Sequence, residues 1–263
     1  MNPVVFILLA LGAAGLIYLI VKAAKAHAER ERQRLIGLNQ WAAANGFSFN
    51  PRDAWNLDAR YAGVADIGKG HGRYAFEILT RTNPVPSSIF RYHYKTWETR
   101  TVTRNGRTHT ETYEETHWRR YLIVELGVAF PQLFLRAEGM FDRLAGFIGF
   151  DDIDFESEEF SKRYFCKSEN RQFAYAVIHP QMMEWMLAHA FEGELRQGLL
   201  VMDIGRANHT PEGCQRAWES AAGFINRIPA FVWKDYAQRD PIKLPDPAPY
   251  APPAPAVAAG ARV

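Results

Sequence analysis

Apolar and polar positions are unevenly distributed along the chain. From Pro3 to Val21 no side chain is charged, and Leu, Ile, Val and Ala dominate. At a rise of 1.5 Å per residue this run spans about 28 Å, close to the hydrocarbon thickness of a bilayer. It predicts a transmembrane anchor over residues 1–21. Gly12 and Gly15 are tolerated in such a helix, and their spacing is not that of a GxxxG dimer seam. Beyond the run the chain turns polar but keeps a helical period. Leu35, Leu38 and Ala42 recur at helical spacing with Trp41 beside them, and Asn45-Gly46 is a helix stop. A basic stalk helix is predicted over residues 22–46.

Residues 47–240 carry the mixed pattern of a folded domain. Phe47-Ser48-Phe49 reads as extended chain and Asn50-Pro51-Arg52-Asp53 as a turn. Residues 60–80 read as two strands around Gly68-Lys69-Gly70-His71-Gly72, a glycine cluster without phosphate-loop spacing. Leu122–Val128 and Gln132–Arg136 continue as strands, and Phe141–Phe150 reads as a short helix or turn. Ile153 and Phe155 alternate with Asp154 and Glu156, as in a half-buried strand. Glu158–Phe165 reads as a helical turn and then a strand. Arg171–Ile178 and Pro180–Ala190 form two helical segments, because Pro180 suits a first turn but not a helix interior. Met183, Met186, Leu187 and Ala190 share a face of the second, a core-filling stripe. Leu195 and Leu199–Ile204 pair around Gln197-Gly198. Thr210-Pro211-Glu212 starts a helix with a hydroxyl cap, a proline and an acid. Its buried stripe is Cys214, Ala217, Trp218, Ala221, Phe224, Ile225 and Ile228. Residues 241–263 hold seven prolines and seven alanines, a tail expected to be disordered or polyproline-like.

The most informative stretch is Ile89–Leu126. Asn105-Gly106 suits a type I′ turn, in which both central residues need positive φ. That turn sets the register. Thr103 faces Thr108, Thr101 faces Thr110 and Thr99 faces Thr112, a threonine ladder on one face. On the other face Arg100 lies opposite Glu111 and Tyr94 opposite His117. Almost nothing near the tip is apolar, so it should project into solvent. Toward the base Phe90, Tyr92, Trp118, Tyr121 and Ile123 should enter the core. This polar arm is the best candidate contact surface, with Trp97, Arg100 and Tyr113 as its binding residues.

Charge adds orientation. The chain has 263 residues with 31 basic and 29 acidic side chains, a net charge of +2 and 48% hydrophobic residues. That balance excludes a wholly disordered chain, a coiled-coil rod and a polytopic transporter, and it does not suggest a polyanion partner. Lys22, Lys25, Arg30, Arg32 and Arg34 follow the anchor against only Glu29 and Glu31. The positive-inside rule therefore places the domain in the cytoplasm. Lys22, Lys25 and Arg30 also lie where anionic headgroups would meet them, at about 1 kcal/mol each. A cleaved signal peptide is the alternative. The uncharged Met1-Asn2 start and the length of the run oppose it, and the small-residue triplet Ala26-His27-Ala28 favours it. Cys166 and Cys214 form no CxxC pair and are expected to be free, buried thiols.

Candidate chemistry is sparse. Asp152, Asp154 and Glu156 form an acidic segment but fail the calcium-loop pattern, with Lys162 where its last glutamate would stand. The eight histidines include no helical zinc pair, and His109 and His117 are too far apart along one strand to share a metal. No metal or other cofactor is implied. Arg100, Arg104, Arg107, Arg119 and Arg120 interleave with Trp97, Tyr113 and Trp118, but Glu98, Glu111, Glu114 and Glu115 interrupt them, so no nucleic acid is expected.

Phe155-Glu156-Ser157-Glu158-Glu159-Phe160, then Ser168-Glu169, then Pro180 with Met183-Glu184 and Leu187, resembles a block in the bacterial membrane-associated domain-of-unknown-function family 3137. The resemblance covers residues 153–187. It implies a membrane-associated bacterial protein and carries no activity or site residue. The expected fold is α+β: a single anchor and stalk, then an antiparallel sheet with a long hairpin, packed by helices. The expected function is a non-enzymatic interaction module at the cytoplasmic face of the inner membrane, contacting the lipid bilayer and, through the arm and the binding residues Asp152, Asp154 and Glu156 of the acidic segment, an unknown protein partner. The alternative is an enzyme acting on an envelope precursor or lipid, with the acidic segment as its site.

Overall fold

The computed structural model describes residues 3–53, 56–104, 107–137, 153–205, 209–240 and 243–244. Helix α1 runs unbroken from Pro3 to Ala44. It is long and apolar enough near its start to cross a membrane, by length and composition. It ends as the Asn45-Gly46 pair predicts. Gly46 takes φ 74°, and the Phe47 N–H donates to the Ala42 carbonyl at 2.8 Å, the backbone closure of a Schellman cap. Phe47 is thereby turned into the core, and the chain reverses along α1.

Strands β1 (Ser48–Arg52), β2 (His71–Arg81), β3 (Ser87–Arg104) and β4 (Arg107–Glu125) follow, with the short helix α2 (Leu57–Arg60) between the first two. Then come β5 (Leu133–Ala137), α3 (Glu158–Arg163), β6 (Tyr164–Ser168), α4 (Arg171–Val177) and α5 (Pro180–His189). The chain continues through β7 (Gly193–Arg196), β8 (Leu199–Asp203), α6 (Pro211–Ile225) and α7 (Ala230–Tyr236). The described strands form one sheet in the order β1-β2-β3-β4-β8-β7-β5-β6. Every neighbouring pair is antiparallel. The fold is α+β.

Alternation along β3 and β4 divides the interior into two cores. Ile89, Leu122 and Val124 face a large core with Leu38 and Ala42 of α1, Met182 and Met186 of α5, and Cys214 and Phe224 of α6. Phe90, Tyr121 and Ile123 face a smaller core closed by Leu57, Tyr61, Val64 and Ile67. Of the side-chain caps, that of α6 is the one expected from the sequence. Thr210 accepts from the Gly213 N–H at 3.1 Å, with Pro211 in the first turn of α6, and Asn170 accepts from the Phe173 N–H at 3.0 Å.

Five local expectations are corrected. Asn50-Pro51-Arg52 is strand, not turn. Because β1 is the sheet edge, the missing Pro51 N–H costs no ladder bond. Residues 60–80 hold one strand, not two. Tyr61, Val64 and Ile67 recur every three residues and cap the smaller core instead. Trp118 is 39% exposed. It sits beyond the edge of the large core, edge-on to Phe76 and His93. Ile153 and Phe155 are buried while Asp154 and Glu156 are exposed, yet the segment joins no ladder as a strand. It is held instead by the Ile153 N–H donating to the Cys166 carbonyl, the Tyr175 hydroxyl donating to the Asp154 carbonyl at 3.1 Å, and Ser161 Oγ bonding both the N–H and the carbonyl of Phe155. Ala190 is exposed in a left-handed cap rather than on the methionine face. The Phe141–Phe150 segment and residues 245–263 of the tail lie outside the described residues.

Candidate functional site

The arm is the part of the sheet that outruns its neighbours. β2 accompanies β3 as far as the pair His71–Lys95, and β8 accompanies β4 only along Tyr121–Glu125. β3 and β4 nevertheless stay paired to Arg104–Arg107. Residues 96–104 and 107–115 are therefore a two-stranded ribbon with no third strand. Asn105-Gly106 lies outside the described residues, but the register is the one its turn requires. Thr103 pairs with Thr108, Thr101 with Thr110, Thr99 with Thr112, Arg100 with Glu111 and Tyr94 with His117.

The two faces of the ribbon differ. One carries the threonine ladder and Trp97, which is 65% exposed and stacks on His71 at 5.3 Å between ring centroids. Glu114 on this face accepts from Lys95 at 2.5 Å and meets His71 Nε2 at 3.0 Å. The bond from Lys95 holds its carboxyl below the usual range, and His71 adds to this. The other face carries Tyr113, which is exposed and lies 5.5 Å from the Arg100 guanidinium. Arg100 and Arg104 both reach toward Glu111, at 3.1 and 3.9 Å. Trp97 and Tyr113 thus belong to one arm but to opposite faces of it.

The remaining predicted residues lie elsewhere. Asp154 and Glu156 are exposed, beside β6 and four strand positions from β4, a separation of about 19 Å. They share no surface with Trp97 or Tyr113, and they do not form the partly buried carboxylate set an enzyme site would need. Asp152 lies outside the described residues. Lys22, Lys25 and Arg30 are exposed on α1. Arg119 and Arg120, part of the basic-aromatic pattern, are buried.

Two constellations escaped sequence reasoning. On the Tyr113 face, Glu98, Glu115 and His117 bring one potential metal-ligand atom each within 4.8 Å of the others. The Thr96 hydroxyl already spans two of them, 2.7 Å from His117 Nε2 and 2.9 Å from Glu98 Oε1, so the cluster is hydrogen-bonded as it stands. The turn-derived register places Thr96 opposite Glu115 and could have found it. The second constellation fixes the arm to α1. A register shift between Phe76 and Leu79 gives Glu77 a left-handed φ of 49°. The bulge turns Glu77 toward α1. Arg34 donates to both Glu77 oxygens, at 3.0 and 2.7 Å, and to the His209 carbonyl at 2.7 Å. Arg91, at the base of the arm, donates to the same carboxylate at 3.1 Å.

No protein-family model matches the chain, and no curated protein matches it. The crystal structure of the mycobacterial trehalose monomycolate transport factor A, TtfA, superposes on 81% of this chain and 99% of its own at a TM-score of 0.49 and 12% identity. A likeness at that level identifies neither family nor function.

Proposed function

We propose that this chain is a single-pass membrane protein of a bacterial inner membrane. Its folded domain is a non-enzymatic interaction module at the cytoplasmic face, and the shaft of the arm is the surface offered to a protein partner. One observation carries this reading: the ribbon is ordered without burying anything. Fixing a backbone residue costs about 1–2 kcal/mol of entropy, and an isolated two-stranded ribbon is marginal in water. The residues beyond Lys95 and Thr116 gain no core in return, and they leave Trp97 and Tyr113 exposed. Exposed aromatic side chains on a rigid scaffold are what partner surfaces use as anchors. The basic residues after the apolar run favour the cytoplasmic orientation, and the block over residues 153–187 favours the family 3137 resemblance.

The test has two parts. Paired topology reporters fused after Ile228 should signal on the cytoplasmic side, and an external signal overturns the orientation. The double change Trp97→Ala and Tyr113→Ala should abolish recovery of cross-linked partners while leaving the unfolding midpoint unchanged. Undiminished recovery removes the arm from the reading. The alternative, an envelope-directed enzyme, is less favoured because Asp154 and Glu156, the two of its three carboxylates that are described, are solvent-exposed.

A further inference from the structure

The direction of the arm relative to the anchor follows from the connections. α1 runs from the candidate span into the domain, and the Gly46 reversal sends β1 back along it. Phe49 of β1 lines a groove with Glu31, Arg32 and Leu35 of α1. β2 is antiparallel to β1 and β3 is antiparallel to β2. β3 therefore runs toward the amino-terminal end of α1, and the tip of the arm lies on the membrane side of the domain.

Arg34 and Arg91 fix a common level, because both bind Glu77. From Arg34 back to Val21, the end of the uncharged run, the helix covers about 20 Å. From Arg91 forward to Arg104 the strand covers about 44 Å. The tip thus reaches the plane where the apolar run ends for any inclination of the arm to the helix up to about 60°. At smaller inclinations a straight arm would pass that plane into the bilayer, where its charged side chains are costly, so the docked state requires an inclination near 60°.

The chemistry of the tip suits the surface it reaches. Between Thr99 and Thr112 the sequence has Arg100, Arg104 and Arg107 against the single acid Glu111. Glu111 is shared by Arg100 and Arg104, so cationic charge is left over. The opposite face offers threonine hydroxyls, and Val102, on the arginine face, is the one aliphatic side chain of the segment. Such a surface binds phosphate-bearing headgroups and does not insert.

We infer that the end of the arm, residues 99–104 and 107–112, rests on the anionic headgroups of the same bilayer that α1 crosses. This rests on the reading of α1 as a membrane span. The net charge of +2 that the sequence gives this segment would shift the docked equilibrium about 30-fold near an anionic surface, at about 1 kcal/mol per basic residue.

The test uses the full chain in nanodiscs. Cys166 and Cys214 are buried, so a Thr103→Cys variant can be labelled selectively with an environment-sensitive fluorophore. In nanodiscs containing phosphatidylglycerol the label should be shielded from iodide and quenched by headgroup spin labels. Both effects should vanish in pure phosphatidylcholine, in high salt and in the Arg100→Gln, Arg104→Gln, Arg107→Gln variant. Equal iodide access with and without anionic lipid overturns the inference. So does shielding that appears only when a membrane-protein fraction is added, which would assign the tip to a protein. A chain that does not enter nanodiscs overturns the membrane-span reading and this inference with it.

Discussion

Lowering the pH should weaken the fold through one buried imidazole. His209 is fully buried under the sheet, its Nδ1 3.7 Å from Cys214 Sγ. Burial pushes the imidazole down from 6.5 to about 3. The Arg120, Arg91 and Arg34 guanidiniums act in the same direction, and the Phe90 backbone opposes them. The folded imidazole therefore stays neutral where the unfolded one takes up a proton. Between those two values the unfolded state binds more protons, so stability falls as pH falls. Referred to pH 7.5, the loss near pH 5 is about 2 kcal/mol. Two carboxylates bound the window. For Asp66, burial is outweighed by Lys69 and Arg119, so its carboxyl lies below the ordinary range, and its contribution is lost only at lower pH. Burial raises Glu194 despite the bond from Gln132. Its penalty is relieved on acidification, so it acts in the opposite sense.

The assay is urea unfolding in mild detergent at pH 7.5 and pH 5, on the natural chain and on His209→Gln. Subtracting the two pH differences cancels the carboxylates and leaves the imidazole contribution, expected at about 2 kcal/mol. The imidazole proton resonances of the folded protein check it independently, since they should not move above pH 4.5. A double difference below about 0.5 kcal/mol, or a His209 resonance titrating near 6.5, would refute the assignment of a buried neutral imidazole beside three guanidiniums.

Two further outcomes test the scaffold. Glu77→Gln removes the shared carboxylate of Arg34 and Arg91 and should cost about 3 kcal/mol, the loss expected when a buried pair keeps one charge. Amide exchange near Arg34 should accelerate in parallel, and a loss under about 1 kcal/mol would mean that α1 is held by packing alone. Gly70 has φ 63°, and a Cβ there would run into the Lys95 carbonyl oxygen. Gly70→Ala should therefore lower stability by about 2–3 kcal/mol, and an unchanged midpoint would mean that the base of the arm is looser than drawn.

What the sequence made legible was governed by rules acting within a few residues. Asn105-Gly106 set a whole ladder, because a two-residue turn leaves no freedom of register and each later pair inherits it. Thr210-Pro211-Glu212 and Asn45-Gly46 placed helix ends for the same local reason. The errors arose where the deciding neighbour is remote. Pro51 is acceptable in a strand only because that strand is an edge, which is a property of the sheet order. Trp118 alternates correctly with Leu122, but whether a side chain on that face is buried depends on where the helical layer stops. The Glu77 bulge leaves no local mark, and its partner Arg34 is 43 residues away. Candidate site residues fared by the same rule. Trp97, Arg100 and Tyr113 were found together because one turn relates them. Asp154 and Glu156 stand four strand positions from β4 because β8, β7 and β5 intervene.

The continuity of α1 bears on why the arm can be so nearly neutral. A flexible linker would let the domain sample a wide volume, and a surface contact would then have to repay that freedom. Here one helix passes from the uncharged run into the core, where Arg34, Leu38 and Ala42 hold it. If α1 crosses a bilayer as proposed, the tip is thereby kept within reach of it, and the ordering cost has already been met by folding. Under such tethering an attraction of about 2 kcal/mol is enough to populate a docked state. A free protein would need a polybasic patch or an apolar face to achieve the same, and the arm has neither. Its balance of three arginines against one glutamate at the tip is what the proposed delivery of the arm to a membrane surface would require, and it would leave the exposed aromatic residues of the shaft free for a protein.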